Sequence, residues 1–135
     1  MIPERYAPQL YALMRIVFGL VFLMYGAQKF GFLGGLDGKG AAAPFLSWPF
    51  GVAAAIEVIL GTLIVLGLFT KFAAFIGAGE MAVAYFIRHL PAALLPVQNG
   101  GQPAVLFCFA YLFMAAYGSG IWSVDSMMGG SRRRP

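Results

Sequence analysis

The sequence predicts an all-α integral membrane protein, a four-helix bundle formed by one domain that fills residues 1–135. Composition, segment length and punctuation point there together. Of the 135 residues, 61% are hydrophobic and 10% charged, so the chain has too few charges to cover its own surface in water. The apolar residues fall into four runs near the roughly 20 residues that a helix needs to cross a hydrocarbon core of about 30 Å. Glycine and proline crowd the gaps between them.

The first predicted span covers residues 10–29, with Arg15 inside it and Lys29 at its end. Residues 31–49 follow, a connection too long for a simple turn, in which Ala41, Ala42, Ala43, Phe45, Leu46 and Trp48 suggest a short amphipathic or re-entrant piece. The second span, 50–70, carries Glu57, and the third, 72–90, carries Glu80 before ending in Arg88 and His89. So little chain separates these two that they are expected to form a tight antiparallel hairpin. Pro91, Pro96, Asn99, Gly100 and Gly101 then lead into the fourth span, 103–122, which has no charge. A short basic tail, 123–135, ends in Arg132, Arg133 and Arg134. A cleaved leader is the rival reading of the first span, but its apolar run is long and ends more than ten residues before the nearest Ala-rich site.

Arg5, Lys71 and Arg132 to Arg134 lie at one set of span ends, against Lys29, Lys39 and Arg88 at the other. By the bias of basic residues toward the cytoplasm, both termini are expected inside. The arginine run then serves orientation and lipid, and no nucleic-acid partner is expected. One Cys and one His exclude an internal disulfide, a Cys-x-x-Cys pair and a bis-histidine haem, and no metal site is expected. Cys108 reads as a small apolar residue. Tyr6, Tyr11, Trp48 and Trp122 read as anchors at the membrane interface.

The charges inside the spans carry the most information, because each costs about 2.5–3.5 kcal/mol in a helix centre and therefore faces protein or a wet cavity. Each lies on a stripe of small or aromatic residues at helical spacing. The stripes are Arg15, Gly19, Phe22, Gly26, Lys29 in the first span, Ala54, Glu57, Gly61, Ile64 in the second, and Ala73, Gly77, Glu80, Ala84 in the third. The fourth span offers Cys108, Tyr111, Ala115, Gly118 and Trp122. Depth along the helices, at about 1.5 Å per residue, predicts the pairs Arg15 with Glu80 and Lys29 with Glu57. Three readings stay open: an ion-pair network holding helices in register, a pocket for a quinone-like polar head with Tyr25 and Gln28 near its outer mouth, or a proton-coupled carrier working as a homodimer.

The order of these residues resembles the DoxX-like membrane proteins. The resemblance rests on Arg15-Ile16-Val17-Phe18-Gly19-Leu20-Val21-Phe22, Tyr25-Gly26-Ala27-Gln28-Lys29, then Glu57, Gly61, Gly67, Leu68, Thr70 and Lys71. Asn99-Gly100-Gly101 and Gly118-Ser119-Gly120-Ile121-Trp122-Ser123-Val124-Asp125 extend it over nearly the whole chain. Gln102 stands where an acidic residue is expected and Lys71 where arginine is common. The resemblance implies a multi-pass protein of the bacterial cytoplasmic membrane, associated with redox systems. Such relatives are small subunits of a thiosulfate-quinone oxidoreductase or terminal oxidase, or anchors for soluble enzymes of oxidative-stress defence. The chain alone lacks the usual redox centres, so it is expected to act as an accessory or anchoring subunit, with no intrinsic cofactor and a bound quinone or a partner enzyme carrying the electrons. A purely structural anchor is the remaining alternative.

Overall fold

The structure, a computed structural model, describes residues 1–129, so the Arg132 to Arg134 run lies outside the described residues. It is all-α. One 3-10 turn (Glu4–Tyr6) leads into α1 (Ala7–Lys29), followed by α2 (Phe50–Leu66), α3 (Thr70–Ala84), which runs on as a π-helical turn (Tyr85–His89), the single turn α4 (Pro96–Asn99), α5 (Gln102–Tyr117) and the short α6 (Val124–Met128). Two helical stretches, Glu4–Lys29 and Thr70–His89, are long and apolar enough to cross a membrane. The other two long helices are shorter than expected, with 17 residues in α2 and 16 in α5. Their ends have physical causes: Gly67 closes α2 in the left-handed region at φ 68°, and Gly118 breaks α5 at φ 99°.

Residues 31–49 form no helix. They fold as a stack of turns, in which the Asp37 carboxylate accepts the N–H groups of Lys39 (2.8 Å) and Ala41 (3.0 Å) and the Ala43 N–H returns to the Lys29 carbonyl (2.8 Å). These local bonds satisfy the backbone that an amphipathic helix would otherwise have paired, so no helix forms here.

The helices pack chiefly in two pairs, α1 with α2 and α3 with α5, while α2 also touches α3 across the three residues that join them. Small residues set the first pair. A Cβ on Gly26 would stand 2.8 Å from the Val58 nitrogen, and one on Gly61 would stand 2.7 Å from the Leu23 nitrogen, so the two backbones approach as closely as helices can. An aromatic residue sets the second. Tyr111 of α5 lies against Gly77 of α3, fills the space a side chain there would occupy, and reaches α1 by donating its hydroxyl to the Phe18 carbonyl at 3.1 Å. Its ring meets Phe22 edge-on at 5.1 Å between centroids. The buried face of α5 therefore centres on Ala104, Phe107, Tyr111 and Met114, while Cys108 and Ala115 sit at its edge and Trp122 is exposed.

Arg15 does not pair with Glu80. Its side chain is fully buried at the opposite end of the molecule from Glu80's neighbours, and its guanidinium donates to four backbone carbonyls: Ile64 (2.7 Å), Val65 (2.8 Å), Trp122 (2.6 Å) and Ile121 (3.4 Å). The last turn of a helix leaves its carbonyls without intrahelical donors and carries the negative end of the dipole, so a cation there is better matched than beside a carboxylate two helices away. Asp125 completes this latch. Its carboxylate accepts the N–H groups of Phe69 (3.0 Å) and Thr70 (3.4 Å), which open α3, and the Ser119 hydroxyl, while its own N–H reaches the Gly67 carbonyl at 3.0 Å. Phe69 (φ 51°) and Trp122 (φ 56°) adopt left-handed backbone that bulky residues avoid, and the latch holds both. One arginine and one aspartate thus tie the end of α2, the start of α3 and the turn after α5 into a single knot.

Two predictions follow from this packing. Gly61→Val should lower stability by about 1–3 kcal/mol through overpacking against α1, whereas Gly79→Ala, which meets nothing within 4 Å inside α3, should raise the thermal midpoint in detergent slightly, by the roughly 0.5–1 kcal/mol that alanine gains over glycine in a helix. Burial opposes ionisation of Asp125, but the Ser119 hydroxyl, the Phe69 and Thr70 N–H groups and Arg15 outweigh it and hold the carboxyl below its ordinary value. Its contribution is then complete above the ordinary carboxylate range and disappears as pH falls through the lowered value. Asp125→Asn should lower the thermal midpoint at neutral pH and flatten its decline on acidification; an unchanged acid limb would remove Asp125 from the latch.

Candidate functional site

The far end of the helices from Arg15 holds the other charges of the predicted spans. Lys29 closes α1 and donates Nζ to both oxygens of Glu57 in α2, at 3.0 Å to Oε1 and 2.7 Å to Oε2. The Glu57 side chain is 3% exposed and that of Lys29 16%, so the pair is shielded from bulk solvent, and both members are needed for it to be tolerated. The Tyr25 ring, one turn before Lys29, lies 5.6 Å from Nζ and adds its face to the ammonium. Helical spacing explains the grouping: Tyr25 and Lys29 are four residues apart and share one side of α1.

Glu80 enters from α3. Its carboxyl lies beside that of Glu57, within hydrogen-bonding reach, and its Oε2 is buried without a donor partner among the described residues. Two adjacent carboxyls and one ammonium therefore form the polar wall of a cavity of about 370 Å³. The rest of the wall is mostly apolar, with Phe50 and Ala53 from α2, Met81 and Ala84 from α3, and Pro103, Ala104 and Phe107 from α5. A polar end, an aromatic and aliphatic body and an opening to the surface make it suited to an amphiphile with one hydrogen-bonding head.

The opening is framed by residues at the end of the third predicted span, in the connection that follows it and at the start of α2. Arg88 stacks its guanidinium on Phe50 at 4.9 Å, bridging the end of the α3 segment to the start of α2. His89 Nδ1 is 3.1 Å from the Asn99 carbonyl oxygen and donates to it in the tautomer that carries the Nδ1 proton. Asn99 in turn donates Nδ2 to the Ala93 carbonyl (2.8 Å) and the Tyr85 hydroxyl (3.2 Å) and accepts the Gly101 N–H (2.8 Å). A Cβ on Gly101 would stand 2.7 Å from both the Asn99 side chain and the Tyr85 ring. Asn99-Gly100-Gly101 is therefore the corner that fixes the rim and starts α5.

Of the six residues singled out from sequence, Lys29, Glu57, Glu80 and Tyr25 converge on this cavity. Gln28 does not; it lines a second depression with Val21, Met24, Leu33 and the shared Tyr25, because one step along α1 turns it about 100° from Lys29. Arg15 belongs to the latch. Sequence reasoning missed Arg88, His89, Phe50 and Asn99 as parts of the site. The available signal was spacing, since Arg88 follows Glu80 by eight residues and Ala84 by four, which keeps it on the same helical face. Among the described residues no group of three or more His, Cys, Asp or Glu side chains is placed to hold a metal ion.

The family model for DoxX matches residues 10–90, which span α1, α2, α3 and the π-helical turn. An uncharacterized protein of Haemophilus influenzae is 37% identical over 129 residues, covering 91% of this chain and 93% of its own length. No solved structure matches. The matched segment supplies Lys29, Glu57, Glu80 and Arg88 to the cavity and Arg15 to the latch. On a match to more than half of its length and a relative alike from end to end, the chain belongs to the DoxX family.

Proposed function

We propose that this DoxX-family protein crosses the bacterial cytoplasmic membrane four times with both termini inside, and serves as an accessory or anchoring subunit of a membrane redox assembly. Its cavity would take the head of a membrane quinone. The observation that carries this reading is the cavity itself, an apolar chamber in a lipid-facing protein with Glu57, Glu80 and Lys29 gathered at one end. Exposed apolar side chains on all four long helices, including Leu13, Ile59, Phe75 and Phe109, support lipid contact around α2 and α5 as well as around the two longer helices. On this reading the electrons are carried by the quinone or by a partner.

Two adjacent carboxyls in an open cavity also favour a second reading, a small proton-coupled carrier, since such pairs exchange protons in transport. The first-helix arginine opposes it. Arg15 is engaged by four carbonyls and is not free to serve a transport cycle.

Purification from native membranes in mild detergent tests the proposal, with extracted lipids assayed for quinone and co-purifying proteins identified by mass spectrometry. Wild-type protein should retain quinone or a redox enzyme, and Ala84→Phe, which narrows the cavity and removes no charge, should lose the quinone at least tenfold. Glu57→Gln should lose it as well. Wild-type protein free of both quinone and redox partner would overturn the reading and favour proton-flux assays in liposomes.

A further inference from the structure

Four non-glycine residues among the described residues hold left-handed backbone: Leu33 (φ 51°), Leu46 (φ 54°), Phe69 (φ 51°) and Trp122 (φ 56°). Side chains avoid that region, and glycine or asparagine is its usual occupant. Yet all four are large apolar residues, and each is more than half exposed. In water such a residue bears the backbone strain and gains nothing from its side chain, so glycine would fit better at each position. In hydrocarbon the same side chain leaves water, which offsets the strain.

Position separates the four into two pairs. Phe69 and Trp122 stand at the latch end, where Asp125 accepts the Phe69 N–H and Arg15 donates to the Trp122 carbonyl. Leu33 and Leu46 stand in the segment 31–49, each at a central position of a turn: the Gly35 N–H returns to the Phe32 carbonyl (2.8 Å) and the Ser47 N–H to the Pro44 carbonyl (3.0 Å). Both sides of this segment are fastened to helices. The Ala43 N–H reaches the Lys29 carbonyl (2.8 Å), the Val52 N–H reaches the Ser47 carbonyl (3.0 Å), and a side chain at Gly51 would collide with the Pro44 carbonyl.

Charge and length show what covers the segment. Its charges are Asp37 and Lys39, and both lie in the tip that the pairing of Gly35 with Ala41 pinches off. Outside that tip, Phe32, Phe45 and Trp48 are exposed beside the two leucines. The helix that follows, α2, has 17 residues, about 25 Å along its axis against a hydrocarbon core of about 30 Å. The apolar residues before Phe50 continue its apolar surface beyond the helix start. A bilayer has two interfaces, and strained apolar residues paired at both ends of the molecule match it, whereas a protein docked at one end would leave the other pair without a reason.

Resting on the four-span reading above, we propose that the segment 31–49 is seated in the lipid leaflet on the cavity side, with Leu33 and Leu46 as its anchors and Asp37 to Gly40 at the head groups. Phe69 and Trp122 anchor the opposite leaflet. The segment is thus a fixed lipid-facing collar, and its partner is the acyl region of a phospholipid bilayer.

Tryptophan fluorescence of the full-length protein in phosphatidylcholine nanodiscs, with and without bromine on the acyl chains, tests this. Trp48 and Trp122 are the two tryptophans of the chain, so Trp122→Phe isolates Trp48. Brominated lipid should lower Trp48 emission about twofold, while acrylamide in the water should quench it several-fold less than free tryptophan. Leu33→Gly combined with Leu46→Gly should weaken the lipid quenching and strengthen that by acrylamide; no change would overturn the anchoring. Trp48 quenched by acrylamide and not by lipid would place the segment in water and overturn the proposal. Shielding from both would assign it to a second copy or a protein partner and overturn it equally. Phe109→Trp, on a background of Trp48→Phe and Trp122→Phe, reports the middle of α5. Lipid quenching there with none at Trp48 would remove this proposal alone, and none at either would remove the four-span reading too. Wild-type protein, with both tryptophans in lipid, should lose more than half of its emission to brominated lipid, so a misfolded variant would not leave the question open.

Discussion

A fully buried arginine met only by backbone carbonyls is the constraint on which the rest of this structure depends. In an apolar surround a guanidinium must find acceptors for its fan of N–H groups. Arg15 finds them for Nη1 and Nη2, though not for its buried Nε, where helices end: α2 must stop at Ile64 and Val65 with its carbonyls turned to α1, and the chain after α5 must double back so that Ile121 and Trp122 reach the same point. Asp125 answers with the complementary task at the start of α3, where N–H groups lack partners. The charges of the latch are separated by a helix end and joined through backbone, which explains why Gly67 and the glycines at 118 and 120 recur as turn residues in it.

With Arg15 engaged there, the charges at the opposite end form a self-contained set. Among the described residues Lys29 is the one cation paired with Glu57, and the bidentate contact fixes the Glu57 rotamer so that Glu80 can stand beside it. Glycine contacts between α1 and α2 make that end rigid. The pairing of α3 with α5 through Tyr111 leaves room between the helix pairs, and the cavity occupies it. Thus the same small-residue packing that brings Lys29 to Glu57 also prevents the helices from closing the space in front of them.

Much of this was legible in the sequence. Inward faces of α1 and α2 follow from the stripes of small residues beside charges, and the Lys29–Glu57 geometry follows from depth along two helices, because both depend on local periodicity. Depth failed for Arg15, since an arginine can be satisfied by carbonyls that carry no sequence signature, whereas a lysine bound to a carboxylate names its partner. The buried face of α5 was displaced toward Phe107 because the register of that helix is set by a hole at Gly77 on another helix. Asp125 and Asn99 were visible as polar residues beside glycines, but their targets, the α3 N-terminus and the Tyr85 hydroxyl, exist only after the chain has folded.

The residues that carry the DoxX likeness sort to the two ends: Gly67, Leu68, Thr70 and the segment 118–125 around the latch, and Tyr25, Lys29, Glu57 and 99–101 around the cavity. In the proposed four-span topology these ends face opposite sides of a membrane. Substituted-cysteine accessibility in intact cells tests it directly, with Leu94→Cys on the cavity side and Met127→Cys on the latch side, each exposed and each on a Cys108→Ala background. A membrane-impermeant maleimide should label position 94 from outside and position 127 only after the cells are permeabilised. Labelling of both positions from the same side would contradict the arrangement.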